Sequence, residues 1–174
     1  MKKTLLLASL LLSCSILGAK QPEWKPAGDN IRTEWASSVS PASVHPEYPR
    51  PQLVRKGWKS LNGLWDYAIT ASSEESMAAA DGSILVPFCV ESSLSGVGRR
   101  FTPEDALWYK KSFRLPFGWR RGGKKVLLHF DAVDWDSSVW VNGQFVGRHT
   151  GGYTAFAFDI KGSAYIGDAF SHTE

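Results

Sequence analysis

Ser138-Val139-Trp140-Val141-Asn142-Gly143-Gln144-Phe145-Val146-Gly147 is the stretch on which the fold is decided. Two short runs of β-branched and aromatic residues flank Asn-Gly, the pair that a type I′ turn demands because both of its central residues take positive φ. The stretch predicts a β-hairpin. Upstream, Lys125-Val126-Leu127-Leu128-His129-Phe130-Asp131 reads as a mostly apolar strand. Downstream, Gly151-Gly152 supplies a bend before the alternating Ala155-Phe156-Ala157-Phe158-Asp159-Ile160. Further back, Leu64 to Ile69, Ile84 to Val86 and Leu107 to Leu115 repeat the pattern of short β-type runs separated by turn residues. Only Ser72 to Ala80 looks helical, and briefly. Short strands at close spacing with almost no helix predict an all-β chain, an antiparallel β-sandwich.

The ends of the chain read differently. Met1-Lys2-Lys3-Thr4 followed by Leu5 to Leu12 is a positive stretch and a short apolar block, with small residues at Gly18 and Ala19 where a signal peptidase would cut. Residues 1–19 are therefore expected to be an export signal, placing the protein in the periplasm or outside the cell. Leu11-Leu12-Ser13-Cys14 also resembles a bacterial lipobox, so an outer-membrane lipoprotein anchored through Cys14 stands as the alternative. Residues 20–50 form an extended leader broken by Pro22, Pro26, Pro41, Pro46 and Pro49. Trp24, Ile31, Trp35, Val44 and Tyr48 are spaced through it, which predicts a segment that packs across the folded body by its aromatic and apolar side chains.

Composition narrows the function. The 20 Lys and Arg against 17 Asp and Glu give +3, but Lys2 and Lys3 belong to the signal, and without them the balance is +1. Nucleic acid is not an expected partner. Removing 19 residues leaves about 155, enough for one domain but about half or less of an α/β-barrel enzyme. Cys14 and Cys89 are the only cysteines, so a disulfide scaffold is excluded, and neither a C-x-x-C pair nor H-E-x-x-H supports a metal site. Gly118 to Lys125 nearly spells a phosphate loop, but Lys125 stands where Ser or Thr is needed and a strand follows. Gly96-x-Gly98 has no third glycine, and no G-x-S-x-G elbow exists. No catalytic residue, metal or cofactor is predicted.

Two sets of residues remain. Asp131, Asp134 and Asp136 flank Trp135 between two strands. They are turn-capping residues, a ligand-facing loop in which carboxylates meet sugar hydroxyls beside an indole, or calcium ligands. Of the tryptophans, Trp65, Trp108 and Trp140 fall inside strands and are expected in the core. Trp119 and Trp135 fall in loops, as platforms for stacking or as surfaces covered by another domain.

Taken in order, Pro46 to Gln52, Leu61-Asn62-Gly63-Leu64-Trp65, Val86-Pro87-Phe88, Leu107-Trp108-Tyr109 to Phe113, Val133-Asp134 to Gly143, and His149-Thr150-Gly151-Gly152-Tyr153 to Ile160 resemble the N-terminal sugar-binding domain of glycoside hydrolase family 2. That family holds β-galactosidases, β-glucuronidases and β-mannosidases. The resemblance implies a jelly-roll sandwich of the galactose-binding-domain type over residues 51–160, and carbohydrate as ligand, with Trp119, Asp134, Trp135 and Asp136 as the candidate contacts. It also implies that the acid/base and nucleophile glutamates of a retaining mechanism belong to a later barrel with no counterpart here. Galactosidases carry an asparagine near the position of Trp108 to Lys111, and none stands there. Residues 161–174 do not resemble the family's continuation. They are expected to be a divergent tail that leaves the sandwich one strand short and the product prone to aggregation. The fragment is then inactive alone: a truncated family 2 hydrolase, a free-standing carbohydrate-binding module, or an interaction domain for a separately encoded barrel.

Overall fold

The computed structural model describes residues 23–28, 31–119, 123–163 and 167–173, the last of these as backbone. The expected signal, with Cys14, and residues 20–22 of the leader lie outside the described residues. Among the described residues eight strands follow in order: β1 (Gly63–Ala71), β2 (Gly82–Val86), β3 (Asp105–Phe113), β4 (Leu127–Phe130), β5 (Asp136–Val141), β6 (Gln144–Thr150), β7 (Phe156–Asp159) and β8 (Gly167–Thr173). They form a six-stranded sheet in the order β2-β1-β3-β8-β5-β6 and a two-stranded sheet β4-β7, and every pairing is antiparallel.

The Asn-Gly stretch closes the β5–β6 hairpin. Asn142 and Gly143 have φ of 52° and 75°, the two positive values a type I′ turn requires. A bulge between Val139 and Trp140 shifts the register within the hairpin. Alternation along β5 is complete: Ser137, Val139 and Val141 are buried while Asp136, Ser138 and Trp140 point to the opposite face.

Two apolar clusters hold the layers together. Val126, Leu128, Val139, Val141 and Ile160 form the first, where the two sheets face each other. Trp65, Ile84, Val90 and Leu107 form the second on the inner face of β1, β2 and β3. Trp65 and Trp108 are 7% and 4% exposed, as strand tryptophans were expected to be. Trp140 differs. It is half-buried on the outer face, its ring 6.0 Å from Trp108 and 5.6 Å from Phe145.

Three expectations are corrected. The C-terminal tail does not leave the sheet incomplete: β8 lies in its middle, paired along seven residues with β3 and along five with β5. A strand held on both sides draws its order from two ladders of backbone hydrogen bonds, so it needs little of the β-propensity that Gly167, Asp168 and Ser171 lack. Residues 72–80 are turn and irregular chain rather than helix. The segment is too short to nucleate one against its pinned ends, where Ser72 N–H donates to Glu104 O at 2.8 Å and Ile69 N–H to the Asp81 carboxylate at 2.8 Å. The leader packs by Trp24, Val44 and Tyr48, whereas Ile31 and Trp35 stand in solvent. Trp24 lies against Gly96, whose φ of +83° and bare Cα admit the indole.

Candidate functional site

The inner face of β1 and β3 is covered by β4 on one side only, and the uncovered part is an open cleft of about 1720 Å³. Trp65, Leu107, Tyr109 and Phe113 form its floor. One wall is the run 124–135 containing β4, and the other is residues 45–62 of the chain that enters the domain, with residues 86–91 beside them.

The candidate sugar contacts distribute around this cleft. Trp135 and Asp134 line it at the C-terminal end of β4, and Trp119 lines it near the N-terminal end. Trp119 is half-buried against the first cluster rather than free in a loop. Asp136 is not brought to the cleft. It opens β5 on the opposite face, where the Arg148 Nε donates to its Oδ1 at 2.6 Å and the Arg148 Nη2 to its Oδ2, a bidentate pair. Asp131 lines the cleft and is exposed.

Local chemistry fixes the Trp135 end. The Gly151 N–H donates to the Trp135 carbonyl at 2.8 Å, with Gly151 at φ +119°, a conformation closed to most side chains. The Asp134 carboxylate packs onto Gly152 so closely that any Cβ there would collide with it. Beneath, His149 stacks on Phe156 at 4.2 Å and Phe156 on Phe130 at 4.8 Å, tying β6, β7 and β4 together. His149 Nε2 lies 2.8 Å from the Thr154 hydroxyl. The backbone under Trp135 is therefore rigid, while its indole is 63% exposed. Tyr153, one residue beyond Gly152, is 99% exposed and was not singled out as a contact from the sequence. An exposed aromatic directly after a Gly-Gly bend is the signal that could have drawn notice to it.

Among the described residues of the cleft, Tyr109 is the strongly perturbed ionisable group. Burial, followed by the proximity of Cys89 and Glu91, pushes its hydroxyl well above the ordinary 10.0. The unfolded chain releases this proton near 10.0 and the folded chain retains it, so stability is unaffected by this group below that pH and falls as pH rises above it. Tyr67 shifts in the same direction, from burial and Asp81. Lys111, lowered by burial, acts in the opposite sense, and its effect is complete at 10.5. Tyr109→Phe is expected to flatten the fall of Tm above pH 10.0 relative to the parent. Melting curves of equal alkaline slope would show that Tyr109 is not its source. Among the described residues no group of three or more His, Cys, Asp or Glu side chains is placed to hold a metal ion.

Comparison with known proteins follows the same outline. Residues 97–171 match the family model described as glycosyl hydrolases family 2, sugar binding domain. The match runs into β8. A β-galactosidase of Thermoanaerobacter pseudethanolicus is 51% identical over 53 residues, 30% of this chain and 7% of that protein. A putative β-glucuronidase of Formosa agariphila is 24% identical over 158 residues, 91% of this chain and 13% of that protein. Among solved structures, a Lactobacillus rhamnosus β-glucuronidase is 26% identical with a TM-score of 0.54, over 67% of this chain and 21% of that one. A Ruminococcus gnavus β-glucuronidase, at 22% identity and a TM-score of 0.56 over 74% of this chain and 23% of that one, shares the fold. The chain spans between 7% and 21% of the length of the first curated relatives it matches.

Proposed function

We propose that the chain, whose residues 97–171 match the sugar-binding domain of glycosyl hydrolases family 2, supplies carbohydrate recognition for the hydrolysis of β-glycosidic bonds, with Trp135 and Asp134 as its sugar contacts. One observation carries this: an exposed indole on an immobilised backbone stands beside a carboxylate at the mouth of a cleft. An indole face covers the C–H face of a pyranose, and a carboxylate accepts hydrogen bonds from its hydroxyls, so the pair fits a saccharide.

The names of the relatives, β-galactosidase and β-glucuronidase, support a β-linked hexoside or hexuronide as the ligand. Bond cleavage is assigned in this proposal to a catalytic barrel outside these 174 residues, whether on the same polypeptide or separately encoded. Export is proposed from the charge and apolar block of residues 1–19, with lipidation of Cys14 as the alternative route.

Calorimetric titration with β-linked glucuronide and galactoside oligosaccharides tests the sugar contacts. Trp135→Ala is expected to weaken binding about tenfold, the size of a well-packed aromatic contact. Equal affinity in parent and variant would remove Trp135 from the site, and no binding of either sugar at millimolar concentration would overturn the proposal.

A further inference from the structure

Strand β4 presents an edge that belongs to neither sheet's interior. Its only strand neighbour among the described residues is β7. Ile160 N–H donates to Val126 O at 2.8 Å, and the register continues as Leu127↔Asp159, Leu128↔Phe158, His129↔Ala157 and Phe130↔Phe156. In an antiparallel ladder hydrogen-bonded and non-hydrogen-bonded pairs alternate. Val126, Leu128 and Phe130 therefore spend their backbone groups on β7, and the N–H and C=O groups of Leu127 and His129 point to the open side.

That open side faces the cleft. A groove lying over one face of a strand touches alternate residues, because successive side chains point in opposite directions. Here every residue from 124 to 135 lines it, and of β7 and its flanks only Ala155 and Ile160 do. The cleft thus runs along the backbone edge of β4. From Lys125 to Asp131 is six residues, or about 20 Å of extended chain. Lys124 and Lys125 stand at one end, Asp131 and Asp134 at the other.

We infer that this edge is a docking site for an extended polypeptide segment of a partner, which adds as a third strand to β4-β7. The segment carries acidic residues at the end that meets Lys124 and Lys125 and basic residues at the end that meets Asp131, leaving Asp134 beyond it to the sugar contact proposed above. Unpaired backbone groups supply the attachment and the oppositely charged ends set the choice of partner, the division of labour in strand addition. A saccharide has no regular donor and acceptor repeat to match Leu127 and His129. A second copy of this chain would have to bring its own β4 past the wall formed by residues 45–62, so a single strand fits the cleft better than another domain edge.

The probe is a capped eight-residue peptide of alternating valine and threonine, with two aspartates at one end and two lysines at the other. Its control carries lysines at both ends, which repels one end of the cleft in either orientation. Fluorescence anisotropy on the full chain is expected to show the control binding about tenfold more weakly, the effect of turning one pair of cross-strand charges from attraction to repulsion. Amide exchange is expected to slow at Leu127 and His129 and to stay unchanged at Leu128. His129→Pro removes an open-edge N–H without touching the β7 ladder and is expected to abolish binding. Lys124→Glu with Lys125→Glu, two exposed positions, is expected to reverse the preference so that the control peptide binds more tightly. Equal binding of the two peptides, unchanged exchange at Leu127 and His129 under saturation, or a dimer by sedimentation that buries these amides without peptide would each overturn the inference.

Discussion

A Gly147→Ala variant is expected to lose about 3 kcal/mol of stability and to melt about 10 °C lower than the parent, the consequence of overpacking in a chain of this length. Gly147 lies in β6 opposite Val139, on the inner face, and the ring of Phe158 from the small sheet rests directly on its backbone. A methyl group there would overlap the ring. Gly147 is not among the glycines of positive φ, so alanine can adopt its backbone conformation and the loss is one of packing alone. Pairing the change with Phe158→Leu should recover part of the stability, because the two sites share one contact. Thermal melting of the single and double variants decides it. A Gly147→Ala protein melting with the parent would mean that the sheets do not meet where the structure has them.

Trp65→Ala is expected to cost about 4 kcal/mol, in the range for truncating a buried tryptophan. Its ring sits in the second cluster, edge-on to Tyr109 at 6.5 Å, and its Nε1 donates to Leu61 O at 2.9 Å. The residue thus joins three things: the floor of the cleft, the chain that enters β1, and the core under β2. Trp65→Phe keeps much of the packing and gives up the hydrogen bond, so a loss of about 1–2 kcal/mol is expected from it. Urea unfolding should rank the midpoints parent, Trp65→Phe, Trp65→Ala. If the alanine variant matched the phenylalanine variant, the burial of Trp65 would contribute nothing.

Much of the fold was legible in the residues because it was written locally. Asn142-Gly143 fixed a hairpin by turn geometry, and the alternation of Ser137, Val139 and Val141 with Ser138 and Trp140 fixed its faces. β8 was not legible. Gly167, Asp168 and Ser171 argue against a strand, and the pairing that overrides them comes from β3, more than fifty residues earlier, and from β5. Ser72 to Ala80 misled for the opposite reason: local propensity favoured helix while both ends were tied to β1, β2 and the start of β3.

The candidate site was legible in part. Trp135 and Asp134 stood out because an aromatic and a carboxylate in a strand connection have no core to fill. Asp136 stood two residues away and looked equivalent, yet it begins β5 on the face that turns from the cleft, and Arg148 across the hairpin engages it. Sequence distance carries no information about which face a strand's first residue takes once a loop breaks the alternation. Trp65 was read as core and is core, but with the partly buried Tyr109 it floors an open cleft, because the second sheet has two strands among the described residues and leaves them uncovered.

The position of β8 has a consequence for how the molecule is assembled. The order β2-β1-β3-β8-β5-β6 makes β8, the last strand among the described residues, the link between a unit of β1, β2 and β3 and the β5–β6 hairpin, both of which are built from near neighbours along the chain. Closing that gap joins residues far apart in sequence and carries the loop-closure cost of non-local contacts. Until Gly167–Thr173 is in place the large sheet exists as two pieces, each with an open edge. During synthesis the ribosome therefore releases the chain through Thr173 before the sheet can become one.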